Sequence, residues 1–181
     1  ILIMATNLQF IRQDTINNTV TSAFNIGTTT DKAFTTDYDV YLANLTMDGS
    51  TTNSETIQCR LIDASGNVIS GAEYDNASLN MFAHASFSEE RGTGETSIQD
   101  IWGTYDKLPE GLASSIYIYN PADSSSYTFL QGSASNGFNG NFKGHKSISV
   151  HKVAEEIIGL QFFVTNTDYF LNAKFTLYGV K

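Results

Sequence analysis

Cysteine is almost missing from this chain. Cys59 stands alone among 181 residues, which excludes an internal disulfide framework and a thiolate metal cage. Positive charge is scarce too. Ten Lys and Arg face 19 Asp and Glu, for a formal net charge of -9, whereas nucleic-acid binders draw affinity from many basic contacts to phosphate. No nucleic-acid partner is expected. Charged residues of both signs reach only 16%, well under the usual quarter, and Ser, Thr and Asn fill 53 positions. The surface must therefore be covered largely by uncharged polar groups. No apolar run approaches the roughly 18 residues of a membrane helix, so no membrane partner is expected. The opening residues 1–4 are too short for the h-region of a signal peptide, and Met4 is the expected start.

What is present favours strands. With two prolines, 12% aromatics and abundant Thr, Val, Ile, Phe and Tyr, no helical period persists along the chain. Residues 19–26 alternate polar and apolar, as do residues 38–45, which run to the turn pair Asp48-Gly49. Residues 56–62, the turn at 63–67 and Val68-Ile69 form the clearest hairpin, because Gly66 and Asn67 supply the positive φ a tight loop needs. Residues 78–87 read as a strand and 88–96 as a polar loop. Residues 115–119 form a strand closed by Asn120-Pro121, where the missing N–H ends pairing. Residues 127–130 read as a short strand, and 133–144, with Asn136-Gly137 and Asn139-Gly140, as a long turn-rich connection. Residues 147–153, 157–164 and 172–180 supply three more strands.

Nine or ten strands spaced by turn signals predict an all-β fold, a two-sheet antiparallel sandwich of jelly-roll type. Residues 19–181 form a single domain, and residues 1–18 are either an N-terminal arm or a first strand. Charge is unevenly spread: residues 1–142 hold 5 basic and 16 acidic side chains, and residues 143–181 hold 5 and 3. The basic stretch, with Lys143, Lys146 and Lys152, reads either as lysine-guarded strand edges or as a handle for the acidic face of an identical subunit.

Motifs for chemistry are thin. His145 and His151 lie six apart, on one face of a strand but roughly 20 Å from each other, so they do not share a metal, and His84 is isolated. The glycines and Lys-Ser pair at 140–147 miss the phosphate-cradling spacing, and no nucleophile elbow is present. Cys59, in an apolar strand, reads as a buried inert thiol. Asp37 and Asp39 alternate without the glycine-pivoted loop of a calcium site. No catalytic residue, metal or cofactor is expected. Glu89, Glu90, Asp100 and Asp106 surround the single Trp102, an acid-and-aromatic setting of the kind a glycan site uses. Trp102, Tyr105, Tyr127, Asn136 and Asn139 are accordingly the candidate contacts to a glycan or a partner. The other reading of Trp102 is an anchor that ties its loop to the core.

The succession Asp37-Tyr38-Asp39-Val40-Tyr41, Arg60-Leu61-Ile62 before Gly66, Tyr74, Ile116-Tyr117-Ile118-Tyr119-Asn120-Pro121, Ile158-Gly159-Leu160-Gln161-Phe162 and Phe175-Thr176-Leu177-Tyr178-Gly179-Val180-Lys181 resembles small virion structural or tail-fibre-like proteins of tailed bacteriophages. The resemblance is to those of phages infecting cyanobacteria and other marine bacteria, and it covers residues 20–181. It implies a non-enzymatic virion component, either decorating the capsid or associated with the tail and its fibres. Such a component contacts other virion proteins and forms a homo-oligomer, a trimer being one arrangement. A glycan-binding module contacting host surface polysaccharide is the alternative.

Overall fold

A computed structural model describes residues 7–48, 55–99, 101–105, 111–138, 140–164 and 170–181. Period-two burial governs the chain wherever strand-forming residues alternate. In Leu112–Tyr119 every even-numbered residue is buried and the odd ones point outward, the pattern of a strand with one face on a core. In chain order the strands among the described residues are β1 (Leu8–Thr21), β2 (Ala23–Ile26), β3 (Val40–Asp48), β4 (Glu55–Thr56), β5 (Gln58–Asp63), β6 (Tyr74–Phe82), β7 (Ser88–Glu95), β8 (Thr104–Tyr105), β9 (Leu112–Tyr119), β10 (Thr128–Phe138), β11 (Asn141–His151), β12 (Ile157–Phe163) and β13 (Phe170–Val180).

The fold is an all-β antiparallel sandwich with unequal layers. One sheet has eight strands in the order β1-β13-β3-β9-β10-β11-β6-β7; the facing layer is β2-β12-β5, and β4 pairs with β8 alone. Between the layers Leu45, Ile116, Phe175 and Leu177 from the large sheet meet Ile26, Leu61, Leu160 and Phe162 from the small one, all fully buried. Fully burying each such side chain is worth roughly 1.5–3 kcal/mol. Beyond the reach of the small sheet, residues 97–99 and 101–103 cover the rest, with Ile98, Ile101 and Trp102 fully buried. Cys59 and Ile98 exchange both backbone hydrogen bonds, and the Ile57 N–H donates to the Gly103 carbonyl. Gly103 has φ +94, and a Cβ there would lie 2.8 Å from Leu112 and 2.9 Å from Ala134, so this cover seats only with glycine at that position. On the inner faces of β6, β10 and β11 the interior turns polar: Asn80, Asn136, His145, Ser147, Ser149 and His151 are all buried.

Several local expectations change, and the strand expected at 78–87 runs instead over Tyr74–Phe82. Residues 88–96 hold the edge strand β7 rather than a loop. It pairs with β6 from Asn80 opposite Ser88 to Tyr74 opposite Glu95, and its exposed charges are those that blunt a sheet edge. Residues 133–144 are mostly paired strand, since β10 and β11 form one hairpin from Thr128 opposite His151 to Phe138 opposite Asn141. The strand expected at 127–130 is thereby the start of a much longer one. The hairpin expected at 56–69 keeps its turn, with positive φ at Gly66 (+85) but not at Asn67, and its return arm is a single bridge of Ile62 to Val68. At the amino end, β1 pairs with β13 from Leu8 opposite Val180 to Thr21 opposite Phe170.

One buried hydroxyl staples the small sheet to the large one. Tyr74 Oη donates to the Ile69 carbonyl at 3.0 Å and accepts from the Leu61 N–H at 3.1 Å. Tyr74→Phe strands a buried donor, so a loss of roughly 1–3 kcal/mol is expected, read as a lower urea midpoint with an unchanged slope. An unchanged midpoint would show that the staple carries no load.

Candidate functional site

The candidates whose side chains are described, Trp102, Tyr127 and Asn136, do not share one surface. Trp102 is fully buried, its indole edge-on to Phe162 at 4.6 Å and tilted against Phe175 at 6.3 Å. It therefore offers no face to a ligand, and the anchor reading is the one its position fits. Asn136 is buried on the inner face of β10 and donates from Nδ2 to the Gly137 carbonyl, which removes it as a surface contact. Tyr127 is exposed. Tyr105 is placed only through its backbone, opposite Glu55 in the β4–β8 pair, and Asn139 lies outside the described residues. Of the acids grouped with Trp102, Glu89 and Glu90 stand on the edge strand β7, while Asp100 and Asp106 lie outside the described residues.

The histidines separate as well. His145 and His151 point inward from β11 and are buried, and His84 is exposed beside the Phe82 ring. Burial pushes the Cys59 thiol well above its ordinary range. A thiol so held is a poor nucleophile.

The feature the sequence reading missed is the outer face of the eight-stranded sheet. Leu8, Val180, Val40, Tyr119, Phe129 and Val150 form one cross-strand row over β1, β13, β3, β9, β10 and β11. The row beside it runs Phe10, Tyr178, Leu42, Tyr117, Gln131 and Ile148. Eleven of these twelve positions are apolar or aromatic, and none is charged. The large ones are not tucked away: Phe10 is 58%, Phe129 46% and Ile148 59% exposed. Phe10 meets Tyr178 edge-on at 6.0 Å, and Tyr117 stacks on Tyr119 at 6.3 Å. Near Phe129 and Ile148 the face is concave, with a hollow of about 840 Å³ reaching Ala77 and Arg91.

Chemistry changes abruptly one row further along the strands. Thr176, Asn44, Ser115, Ser133 and Lys146 follow, with Ser115 donating to Asn44 at 2.6 Å. The next row holds Lys174, Thr46, Ala113, Ser135 and Gly144. The face is thus split into an apolar belt and a hydroxyl-rich field. The belt did leave a sequence signal: Ile116-Tyr117-Ile118-Tyr119 is apolar at both parities, which marks a strand with something to bury on each side. Compared with known proteins, the sequence matches no family model and no curated protein.

Proposed function

We propose that this chain is a non-enzymatic structural component of a bacteriophage virion, decorating the capsid or associated with the tail and its fibres. In this reading it adheres to neighbouring copies of itself through the outer face of its large sheet. The observation that carries the reading is the uncharged two-row belt. Six strands spaced about 4.8 Å apart, with two-residue steps of about 6.6 Å, make it roughly 29 Å by 13 Å, on the order of 400 Å². That lies in the range of the largest apolar patch on a typical monomer, a patch that is often functional, and is half of the roughly 800 Å² per partner in a standard interface. The hydroxyl rows therefore complete the contact, giving an apolar core with a polar rim. A chain of net charge -9 repels its own copies at long range, and a belt without charges lets two copies meet without like charges opposing each other. The sequence resemblance to phage virion proteins supports the same reading.

The double change Phe129→Ser with Ile148→Ser tests it. Both side chains face outward, so circular dichroism and melting should stay near those of the parent. Sedimentation velocity should show the oligomer of the parent giving way to monomer, and incorporation into purified particles should fall at least tenfold. An intact oligomer would remove the belt from the contact. Mass spectrometry that finds the chain in the lysate and none in purified particles would remove the virion.

A further inference from the structure

Away from the belt, three side chains from separate stretches of chain close on one point. Glu73 immediately precedes β6, His151 ends β11, and Glu155 lies in the connection to β12. His151 Nε2 lies 3.1 Å from Glu73 Oε2 and 3.5 Å from Glu155 Oε1, and one ligand-capable atom from each residue falls within 4.8 Å of the others. The backbone fixes this meeting, because the Lys152 N–H donates to the Glu73 carbonyl.

The imidazole is fully buried, while each carboxylate side chain is about one-third exposed, at 37% and 33%. Tyr74 lies against the ring at 5.2 Å, so packing orients it; its Nδ1 has no hydrogen-bond partner among the described residues. The lysine next in the chain does not serve the cluster: Lys152 Nζ pairs with Asp75 at 2.7 Å. Two carboxylates thus meet one imidazole.

We propose that Glu73, His151 and Glu155 bind one Zn²⁺ ion, which pins the β11–β12 connection to the start of β6. A tetrahedral Zn²⁺ with bonds of about 2.1 Å sets its ligand atoms about 3.4 Å apart. Two of the three edges are already 3.1 and 3.5 Å and the third is within 4.8 Å, so a carboxylate shift on the order of 1 Å closes the triangle. One imidazole with two carboxylates suits borderline transition metals; Mg²⁺ and Ca²⁺ prefer oxygen alone. Water or a neighbouring subunit's carboxylate completes the fourth position, on the side where both glutamates reach solvent.

The test is titration of chelator-treated full-length chain with ZnCl₂ by calorimetry, and with CoCl₂ by visible absorption. One ion per chain is expected, with a dissociation constant on the order of micromolar, a melting temperature that rises with Zn²⁺, and the intense visible bands of tetrahedral Co²⁺. Glu155→Gln and His151→Gln should each weaken binding at least tenfold. Glu156→Gln, next in the chain but paired with Lys32 at 2.6 Å, should leave it unchanged. If His151→Gln fails to fold, Glu155→Gln, at a partly exposed carboxylate, still decides. Absence of saturable one-to-one binding below about 100 µM, or equal binding by parent and Glu155→Gln, overturns the proposal.

Discussion

Trp102→Ala is expected to destabilise the fold by about 3–5 kcal/mol, the range for removing a large aromatic from a packed core. For a chain of this length each kcal/mol moves the melting temperature by about 2–4 °C, so the midpoint should fall by roughly 6–20 °C. The cost is high because the indole contacts both layers, Phe162 on the small sheet and Phe175 on the large one. It also holds down the cover formed by residues 97–99 and 101–103, where a Cβ on Gly103 would already crowd Leu112 and Ala134. Trp102→Phe keeps part of the packing and should lose less. A loss under about 1 kcal/mol, or lost glycan binding at unchanged stability, would put the indole back at a ligand surface, contrary to its burial.

Acid should loosen the molecule through His145. Burial holds this imidazole down to about 4, from an ordinary 6.5; the positive charge of Lys143 adds to the effect and Glu90 opposes it. Neither ring nitrogen has a hydrogen-bond partner among the described residues, so a proton placed there would be neither hydrated nor paired. Between pH 6.5 and 4 the unfolded chain takes up a proton that the folded chain refuses, and stability must fall as pH falls through that window. A shift from 6.5 to about 4 corresponds to about 3 kcal/mol at one pKa unit per 1.36 kcal/mol. His145→Leu, of similar volume and without nitrogens, should be near the parent at pH 7. Urea unfolding from pH 7 to 4 should then cost the parent about 3 kcal/mol more than the variant. Parallel pH profiles would mean that His145 gains its proton without opening the core.

Strand pattern was readable wherever β-branched and aromatic residues ran up to a turn signal. That is why β3, β9, β12 and β13 lie close to where it places them. It failed on β10 and β11, whose Gly, Ser and Asn look like turn residues. Their small size has another cause: a Cβ on Gly132 would sit 2.5 Å from Ile116 and 2.9 Å from the Ser115 carbonyl. Close approach of neighbouring strands selected small residues, and tertiary contact overrode propensity. The edge strand β7 was hidden for a different reason: its sequence reflects solvent on nearly every side, and only its backbone reports that it is paired. The site was less legible still. Apolar residues that face outward and apolar residues that face inward are identical in one dimension. Phe129 reads as core until its register opposite Tyr119 and Val150 is known. Glu73 and His151 are brought together by the β6–β11 pairing across 78 positions, a separation no local spacing encodes.

The lone thiol gives the molecule a built-in reporter. Cys59 is fully buried at the seam where the three-stranded layer meets the segment carrying Ile98, and it is the chain's single cysteine. Alkylating agents and oxidants reach it only when that seam parts. Each covalent tag therefore counts one opening of the sandwich, in a free chain or in an assembled one, with no label added to the surface.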